Sequence, residues 1–401
     1  MIPAPTTRPA ESPSAGGALR PLRVLWLTTE ARTDGPGRAL VALVNRWPVA
    51  ADTLAVCALR LALPLFRREL RPDIAVYDIG MRGAWDAAAF RRLARLVRMW
   101  RPDVLNTQLS RADWIGRLIG PALGVPVVST IQNVHSRMYR AEFTPMAASI
   151  GRTLDRLTMP RAARLVAVSE GVRRDLSESG AATDRVVVIH NGIDLNRSWQ
   201  PAERAGVREA WRCGPDDLVV GTVARLKEQK GLSHLIDAAR LVAACDRRVR
   251  FVQIGTGPLE RTVQRRIDAA GLADRVRLLG AIDDPMTVLG AMDIFVLPSL
   301  WEGFPLSLLE AMAVGLPVIG TRVSGVEDAI EEGRSGLLVA PADPNALAAA
   351  ILALAGDDDR RRRLGCAARA RAAVFDAART ALAYRRIYEA VSSPGKAARA
   401  H

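Results

Sequence analysis

The stretch LPSLWEGFPLSLLEAMAVGLPVIGT (297–321) decides how this chain reads. It opens on the end of an apolar run that stops at Ser299, passes through a loop carrying Glu302 and Gly303, and continues from Pro305 with helical spacing. Proline suits the first helical position, where a missing N–H costs nothing. Strand, loop and helix in that order leave the N–H groups of Gly303, Phe304 and Leu306 facing out of the helix start with the positive end of its dipole, a setting that suits a diphosphate. Gly303 lets a backbone approach closely. Glu310, further along the helix, is placed to accept hydrogen bonds from ribose hydroxyls. Taken alone, the stretch reads equally well as a surface Glu-Gly turn capping an ordinary helix.

On either side of it, short β-branched runs alternate with helical segments. In the first half the runs are 23–29, 53–59, 73–79, 103–108, 125–131, 164–169 and 185–191, with helical periodicity over 40–47 and 87–100 between them. A second series follows a polar, proline-containing stretch near 196–206: 217–224, 250–255, 275–280, 293–299, 317–321 and 336–341. That alternation predicts parallel strands with crossover helices, buried on both faces, in two α/β units joined by one linker. From Asp343 to about Val391 the sequence is helical and rich in Ala and Arg. Residues 1–20 read as a disordered tail and 392–401 as a frayed one.

A length of 401 residues accommodates two domains with separate cores. The formal charge of +14 comes from 56 basic residues, of which only Lys227, Lys230 and Lys396 are lysine. A surface so rich in guanidinium suits carboxylates, phosphates and lipid head groups without choosing among them. Cys57, Cys213, Cys245 and Cys366 share no paired spacing and read as reduced thiols of a cytosolic protein. No apolar run reaches the length of a membrane-spanning helix, so membrane contact is expected to be peripheral, at the inner face of the plasma membrane.

The pattern Glu-Gly-Phe, a second Glu eight positions after the first, then Ala-Met-Ala and Gly-x-Pro-Val resembles the donor-site signature of family 4 retaining glycosyltransferases. The resemblance covers about 23–391 and is strongest over 219–339. It implies the GT-B fold: two Rossmann-like parallel-sheet domains facing a central cleft. The N-terminal acceptor domain would span 21–195 and the donor-nucleotide domain 196–376, with a final helix, 377–391, crossing back to complete the first.

Further matches assign roles by resemblance. VGTVARLKEQKGL (220–232) is similar to the family segment whose arginine and lysine, here Arg225 and Lys230, neutralise the donor diphosphate. Such fixed cations stabilise the charge that develops on a departing diphosphate. IGTGPL (254–259) resembles a glycine turn near the nucleotide, through Gly255 and Gly257, and LLGAIDD (278–284) the segment that meets the base, near Ala281 and Ile282. TDGPGRALVAL (33–43) stands where the family has a glycine-rich loop, so Gly35 and Gly37 would admit the transferred sugar or its phosphate, with N–H groups near Arg38 and Ala39 as donors. VIHNGIDL (188–195) resembles the end of the first domain, with His190 read as structural.

Three departures stand out. Gly-Pro-Gly replaces paired glycines. Gln132 occupies the position of a histidine near the reacting centre, leaving His135 or Gln132 to take its role. Ser324, Gly325 and Asp328 replace two glycines and Glu.

The implied reaction moves a hexose from a nucleotide-diphosphate sugar to an acceptor hydroxyl with retention, in bacterial polysaccharide or lipid-linked glycan synthesis. It needs no cofactor and no metal, since Arg225, Lys230 and helix dipoles carry the positive charge. Glu302 would position the sugar or phosphate, and Glu310 the ribose. Partners would be the donor, a glycan or lipid-linked acceptor and an anionic membrane surface, but no nucleic acid. The alternatives are a non-catalytic membrane- or polyanion-binding protein on the same scaffold, and a nucleotide-sugar epimerase. The membrane reading rests on 88–100, where Phe90, Leu93 and Val97 share one face and Arg91, Arg95 and Arg98 another, and on 152–165, although a solvated outer helix of the first domain is the commoner explanation of 88–100 and 152–165 allows the same two readings. A glycosidase would need carboxylates flanking the bond at about 5–10 Å, which a phosphate-binding helix start does not supply.

Overall fold

The computed structural model describes residues 20–60, 63–83, 86–196 and 203–393. Seven parallel strands form the first sheet: β1 (Arg23–Thr28), β2 (Thr53–Ala58), β3 (Ala75–Asp78), β4 (Val104–Gln108), β5 (Val127–Ile131), β6 (Arg164–Ala167) and β7 (Val186–Val188). Six more form the second: β8 (Leu218–Val223), β9 (Val249–Ile254), β10 (Val276–Leu278), β11 (Ile294–Leu297), β12 (Val318–Thr321) and β13 (Leu337–Val339). Each expected apolar run coincides with one strand, trimmed by up to four residues where the chain turns, except that β9 starts one residue earlier, at Val249. The strands read as near-continuous Val/Leu/Ile runs because helices cover both faces of each sheet.

The strand orders are β3-β2-β1-β4-β5-β6-β7 and β10-β9-β8-β11-β12-β13. In each sheet the chain builds outward to one edge, returns to the centre and builds to the other. The direction therefore reverses between β1 and β4, and between β8 and β11. At such a point adjacent strand ends send their loops to opposite faces, opening a crevice at the carboxyl edge.

The polar stretch between the sheets includes 197–202, which lie outside the described residues, as do 1–19 and 394–401. It is shorter than its composition implies, because helix Arg204–Ala210 already starts within it. That helix is held by Arg208 Nε on the Ala291 carbonyl at 3.0 Å and by Arg204 on Asp293 at 2.5 Å.

Helix Ala377–Ser392 lies on the first sheet's side. Ala381, Tyr384 and Tyr388 join Trp26, Val24, Val104 and Trp47 in one apolar cluster. The Tyr388 hydroxyl donates to Asn106 Oδ1 at 2.9 Å, and Arg385 Nε meets Asp52 at 2.7 Å, both side chains all but fully buried. A second cluster runs without a break from Ile131, Ala167 and Val168 to Phe304, Leu306 and Val326, so the two sheets share an apolar seam. Cys57 and Cys213 are buried, Cys245 and Cys366 exposed, and all four are free thiols. Among the described residues, no helix is long and apolar enough to cross a membrane.

Candidate active site

The residues singled out in the sequence gather on the carboxyl edges of the two sheets. Lys230 follows β8 and Glu302 follows β11, the pair of strands between which the second sheet reverses. Lys230 Nζ donates to Glu302 Oε1 at 2.6 Å, across that reversal point. Ser299 Oγ donates to the same oxygen at 2.6 Å, and Gln229 Nε2 reaches Oε2 at 3.4 Å. Glu302 is 4% exposed. The two loops are zipped further by Leu300 N–H on the Gln229 carbonyl at 2.7 Å. Gly231, at φ +61°, closes the turn where a Cβ would stand 2.0 Å from the Pro298 carbonyl oxygen. The result is an ammonium held at a fixed point of the crevice by a carboxylate that is itself held.

Helix Leu306–Ala313 begins one residue later than the sequence suggests. Pro305 is extended at ψ 114° and precedes the helix, a place where its lack of an N–H also goes unfelt. The first helical bond recorded is Leu309 N–H to the Pro305 carbonyl, which leaves the earlier amides outside the ladder. Phe304 is buried, its ring stacked on His190 at 4.6 Å and tilted against Phe375 at 5.1 Å. Its side chain therefore belongs to the seam between the units. Gly303 has a sharper role than a generic close approach: a Cβ there would lie 2.0 Å from the Gln132 carbonyl oxygen, so only glycine lets the first unit's backbone pass. Gly325, at φ +75°, presses on Gly303 from the other side.

Glu310, 4% exposed, faces the first unit, where Arg38 meets its Oε1 at 2.6 Å. Arg225 is half-exposed and lies 3.9 Å from Asp34. Gly255, at φ +125°, and Gly257 sit where a Cβ would strike the backbone of Ala224 and Leu226. They let the β9 loop pack against both neighbours of Arg225 and so fix where that guanidinium starts. Ala281 is exposed within the loop after β10, and Ile282 is half-buried against the core. A cavity of about 350 Å³ between the units is lined by Arg38, Asn45, Asp194, Met286, Leu306 and Glu310 among others.

In the first unit, helix Gly35–Asn45 starts earlier than its apolar pattern shows, and Gly-Pro-Gly forms its first turn. This corrects the expected donors: Arg38 N–H is already bonded to the Asp34 carbonyl at 2.8 Å, and Gly37 N–H to the Asp34 side chain at 3.3 Å. What Arg38 offers the cleft is its guanidinium. Gly37 is required because a Cβ would overlap the Arg32 carbonyl oxygen, whereas Gly35 meets nothing within 4 Å.

Gln132 Oε1 accepts from Asn191 Nδ2 at 2.9 Å, and Gln132 Nε2 points toward Gln108 Oε1 at 3.5 Å. These amides line the carboxyl edge beside Gly303. His135 lies instead within a buried network. Its Nδ1 is 3.0 Å from Asp155 Oδ2, and Asp155 also accepts from Tyr139 Oη at 2.7 Å and Trp114 Nε1 at 2.8 Å. Burial alone would lower the imidazole pKa, but the Asp155 carboxylate outweighs it and raises the pKa above the ordinary value. Burial disfavours the Asp155 carboxylate in turn, yet His135 and Arg117 hold its pKa down at about 2.

The third departure bridges the units. Ser324 Oγ lies 2.9 Å from Ser169 Oγ, and Asp328 Oδ2 accepts from Glu170 N–H at 2.8 Å, at the start of helix Glu170–Glu178. His190 is also fixed, its Nδ1 3.0 Å from the Val168 carbonyl.

The basic helix Ala87–Trp100 is an outer helix of the first unit, the commoner of the two readings its sequence allowed. Leu93, Leu96, Val97 and Trp100 are buried against β1 and β4, so its apolar face is not free for lipid.

Comparison with known proteins accords with this geometry. Residues 217–357 match the family model described as glycosyl transferases group 1, and residues 33–197 the model described as glycosyltransferase family 4. The chain is 31% identical over 331 residues to the alpha-maltose-1-phosphate synthase of Mycolicibacterium smegmatis, covering 74% of this chain and 82% of that protein. It is 28% identical over 319 residues to the 2-deoxystreptamine glucosyltransferase of Streptomyces kanamyceticus, covering 75% and 79%. In fold it is similar to Anabaena HepE in complex with UDP and glucose, with a TM-score of 0.78, 21% identity, and coverage of 92% of this chain and 100% of that one. Sucrose-phosphate synthase from Thermosynechococcus elongatus gives a TM-score of 0.78 at 19% identity, with coverage of 92% and 99%. With two parallel Rossmann-like sheets, a switch-point crevice and both halves matched by the family's models, the chain is a glycosyltransferase and belongs to family 4, with the GT-B fold.

Proposed function

We propose that the protein transfers a hexose from a nucleotide-diphosphate sugar to an acceptor hydroxyl with retention of anomeric configuration, in bacterial polysaccharide or lipid-linked glycan assembly. The observation that carries the donor assignment is the Lys230–Glu302 pair spanning the β8/β11 reversal, with Glu310 on the helix that follows. Anion and crevice coincide at such a point.

In this reading the nucleoside enters the cavity beside Met286 and Leu306, its base near Ala281 and Ile282. The ribose hydroxyls donate to Glu310 and displace Arg38. The diphosphate lies between Lys230, Arg225 and the free amides at the start of helix Leu306–Ala313. As the C1–O bond breaks, negative charge grows on the distal phosphate, and Lys230 and Arg225 stabilise it more in the transition state than before. The same phosphate, on the face where the hydroxyl arrives, takes its proton, which accounts for retention without a protein nucleophile. Gln132 donates a neutral hydrogen bond to the sugar. Glu302, on the loop after β11, keeps Lys230 in place and reaches the sugar or its phosphate. Gly35 lies where the sugar or its phosphate would meet the first unit. Arg225 and Lys230 supply the charge compensation, so no divalent ion is required.

Relatives support the setting. The chain is 27% identical over 278 residues to an Escherichia coli UDP-Gal:alpha-D-GlcNAc-diphosphoundecaprenol alpha-1,3-galactosyltransferase, spanning 71% of it. The test is donor-dependent release of nucleoside diphosphate with EDTA present, followed by NMR of the product anomer. Inversion at C1, or an absolute need for a divalent ion, contradicts the mechanism; release of an epimerised donor without acceptor contradicts the reaction class.

A further inference from the structure

Helix Pro145–Thr158 turns its small and polar positions, Ala148, Gly151, Asp155 and Thr158, into the protein. Gly151 sits so close to Tyr139 that a Cβ would stand 2.6 Å from its ring. The large apolar side chains are on the other side: Met146 is 74% exposed, Ile150 50% and Leu157 67%. Their spacing, i, i+4 and i+11 with Thr153 between, places them in one stripe along the solvent face. Phe143, 42% exposed, extends it from the end of the preceding helix, His135–Glu142. This inverts the usual amphipathic arrangement. A helix of a water-soluble surface has its large hydrophobes inward, and a contiguous apolar stripe left outward marks an interaction site.

The charge around the stripe says what kind. Between residues 135 and 161 the chain carries five arginines, Arg137, Arg140, Arg152, Arg156 and Arg161, all exposed. The acidic residues there are Glu142, bonded to Lys227 at 3.0 Å, and Asp155, buried under the helix. Arg152 and Arg156 border the stripe along one side, about a quarter to two-fifths of a turn away. Apolar side chains bordered by guanidinium groups match a bilayer interface, where the former enter the acyl boundary and the latter meet lipid phosphates.

We propose that Phe143, Met146, Ile150 and Leu157, with the arginines beside them, form a surface that docks the protein on an anionic lipid bilayer. The surface is tied to the cleft. Both helices descend from the carboxyl end of β5, next to Gln132, and the Glu142–Lys227 ion pair joins their turn to the loop that carries Arg225 and Lys230. Docking therefore holds the mouth of the cleft against the membrane, within reach of an acceptor embedded there. Bilayer binding stands independently of the proposed function; the delivery of a lipid-borne acceptor rests on it.

The experiment is co-sedimentation of the full chain with vesicles of pure phosphatidylcholine and of phosphatidylcholine with about one-third phosphatidylglycerol. Binding to the anionic vesicles that weakens with salt, together with slowed amide exchange over 143–157, is the expected result. The triple variant Met146→Ser, Ile150→Ser, Leu157→Ser, all at exposed positions, is expected to lower partitioning about tenfold or more while melting as the native chain does. Arg152→Gln with Arg156→Gln lowers it by a smaller factor and flattens the salt dependence. Donor-dependent nucleotide release in solution stays unchanged in all of these variants, which separates failure of docking from failure of catalysis. Equal binding by the triple variant, no binding at all, or a native dimer that the triple variant dissolves each overturns the proposal, the last assigning the stripe to a second copy of the chain.

Discussion

Lys230 and Glu302 depend on each other. Removing the ammonium leaves a carboxylate at 4% exposure with only Ser299 and Gln229. Lys230→Ala is therefore expected to lower kcat by roughly 10²-fold or more while the chain stays folded, read from initial rates and a thermal melt. Gly303→Ala is expected to be as damaging for a different reason, since the added methyl meets the Gln132 carbonyl and forces the units apart; a fall in both kcat and melting temperature checks it. His135 makes a prediction about pH. Its folded pKa is raised, so its contribution is complete below the unfolded value of about 6.5 and fades as pH rises through the folded value. His135→Gln should therefore melt well below the native chain at pH 5.5 and approach it at alkaline pH, and a constant difference across that range contradicts the role.

At this scale the sequence was informative where a residue type has one use. Glu302 and Glu310 belong to a strand-loop-helix pattern readable from 297–321, whereas Lys230 was placed by the resemblance of 220–232. Arg38 was not legible as a cleft side chain. Its position followed from where the helix starts, and Gly-Pro-Gly hides that start from any apolar periodicity. Leu109 was invisible for a similar reason: a leucine at φ +72° beside the first sheet's reversal point leaves no trace in composition.

Among elements, the strands were legible because β-branched runs bounded by turn residues allow little else, and their ends were less so because carboxyl-edge residues serve loops. Helices stayed ambiguous where both faces carry side chains suited to two environments. The runs 88–100 and 145–157 both set arginines beside large apolar residues at helical spacing, yet the first buries its apolar stripe and the second exposes it. Only the neighbours decide that. The Ser324–Asp328 departure likewise gains meaning from its partner helix. Asp328→Ala removes the acceptor for Glu170 N–H and is expected to cost about 1 kcal/mol, measured by denaturant titration, with no change in nucleotide affinity.

For the whole molecule, the final helix matters most. Tyr384 and Tyr388 pack on Trp26, and Tyr388 stacks on Trp47 at 5.8 Å, so the last sixteen helical residues complete the first unit's core. Deleting 377–401 is expected to give an aggregating chain, because it uncovers that face and leaves Asp52 buried without Arg385. Recovery of a monomer with a native melt contradicts this. The seam from Ile131 to Phe304 and the ion pairs Arg38–Glu310 and Lys227–Glu142 hold the units together around the cleft. In the proposed reaction, ribose competes with Arg38 for Glu310, so the donor must open one of these contacts as it binds.

That competition makes nucleotide binding the most direct test of the central claim. Titration calorimetry with UDP, GDP, ADP and dTDP should find at least one that binds the native chain, with affinity falling about tenfold or more in Glu310→Ala and in Lys230→Ala. Equal affinity in both variants, or no binding by any of the four, contradicts the assignment of the donor to the crevice between Lys230 and Glu310.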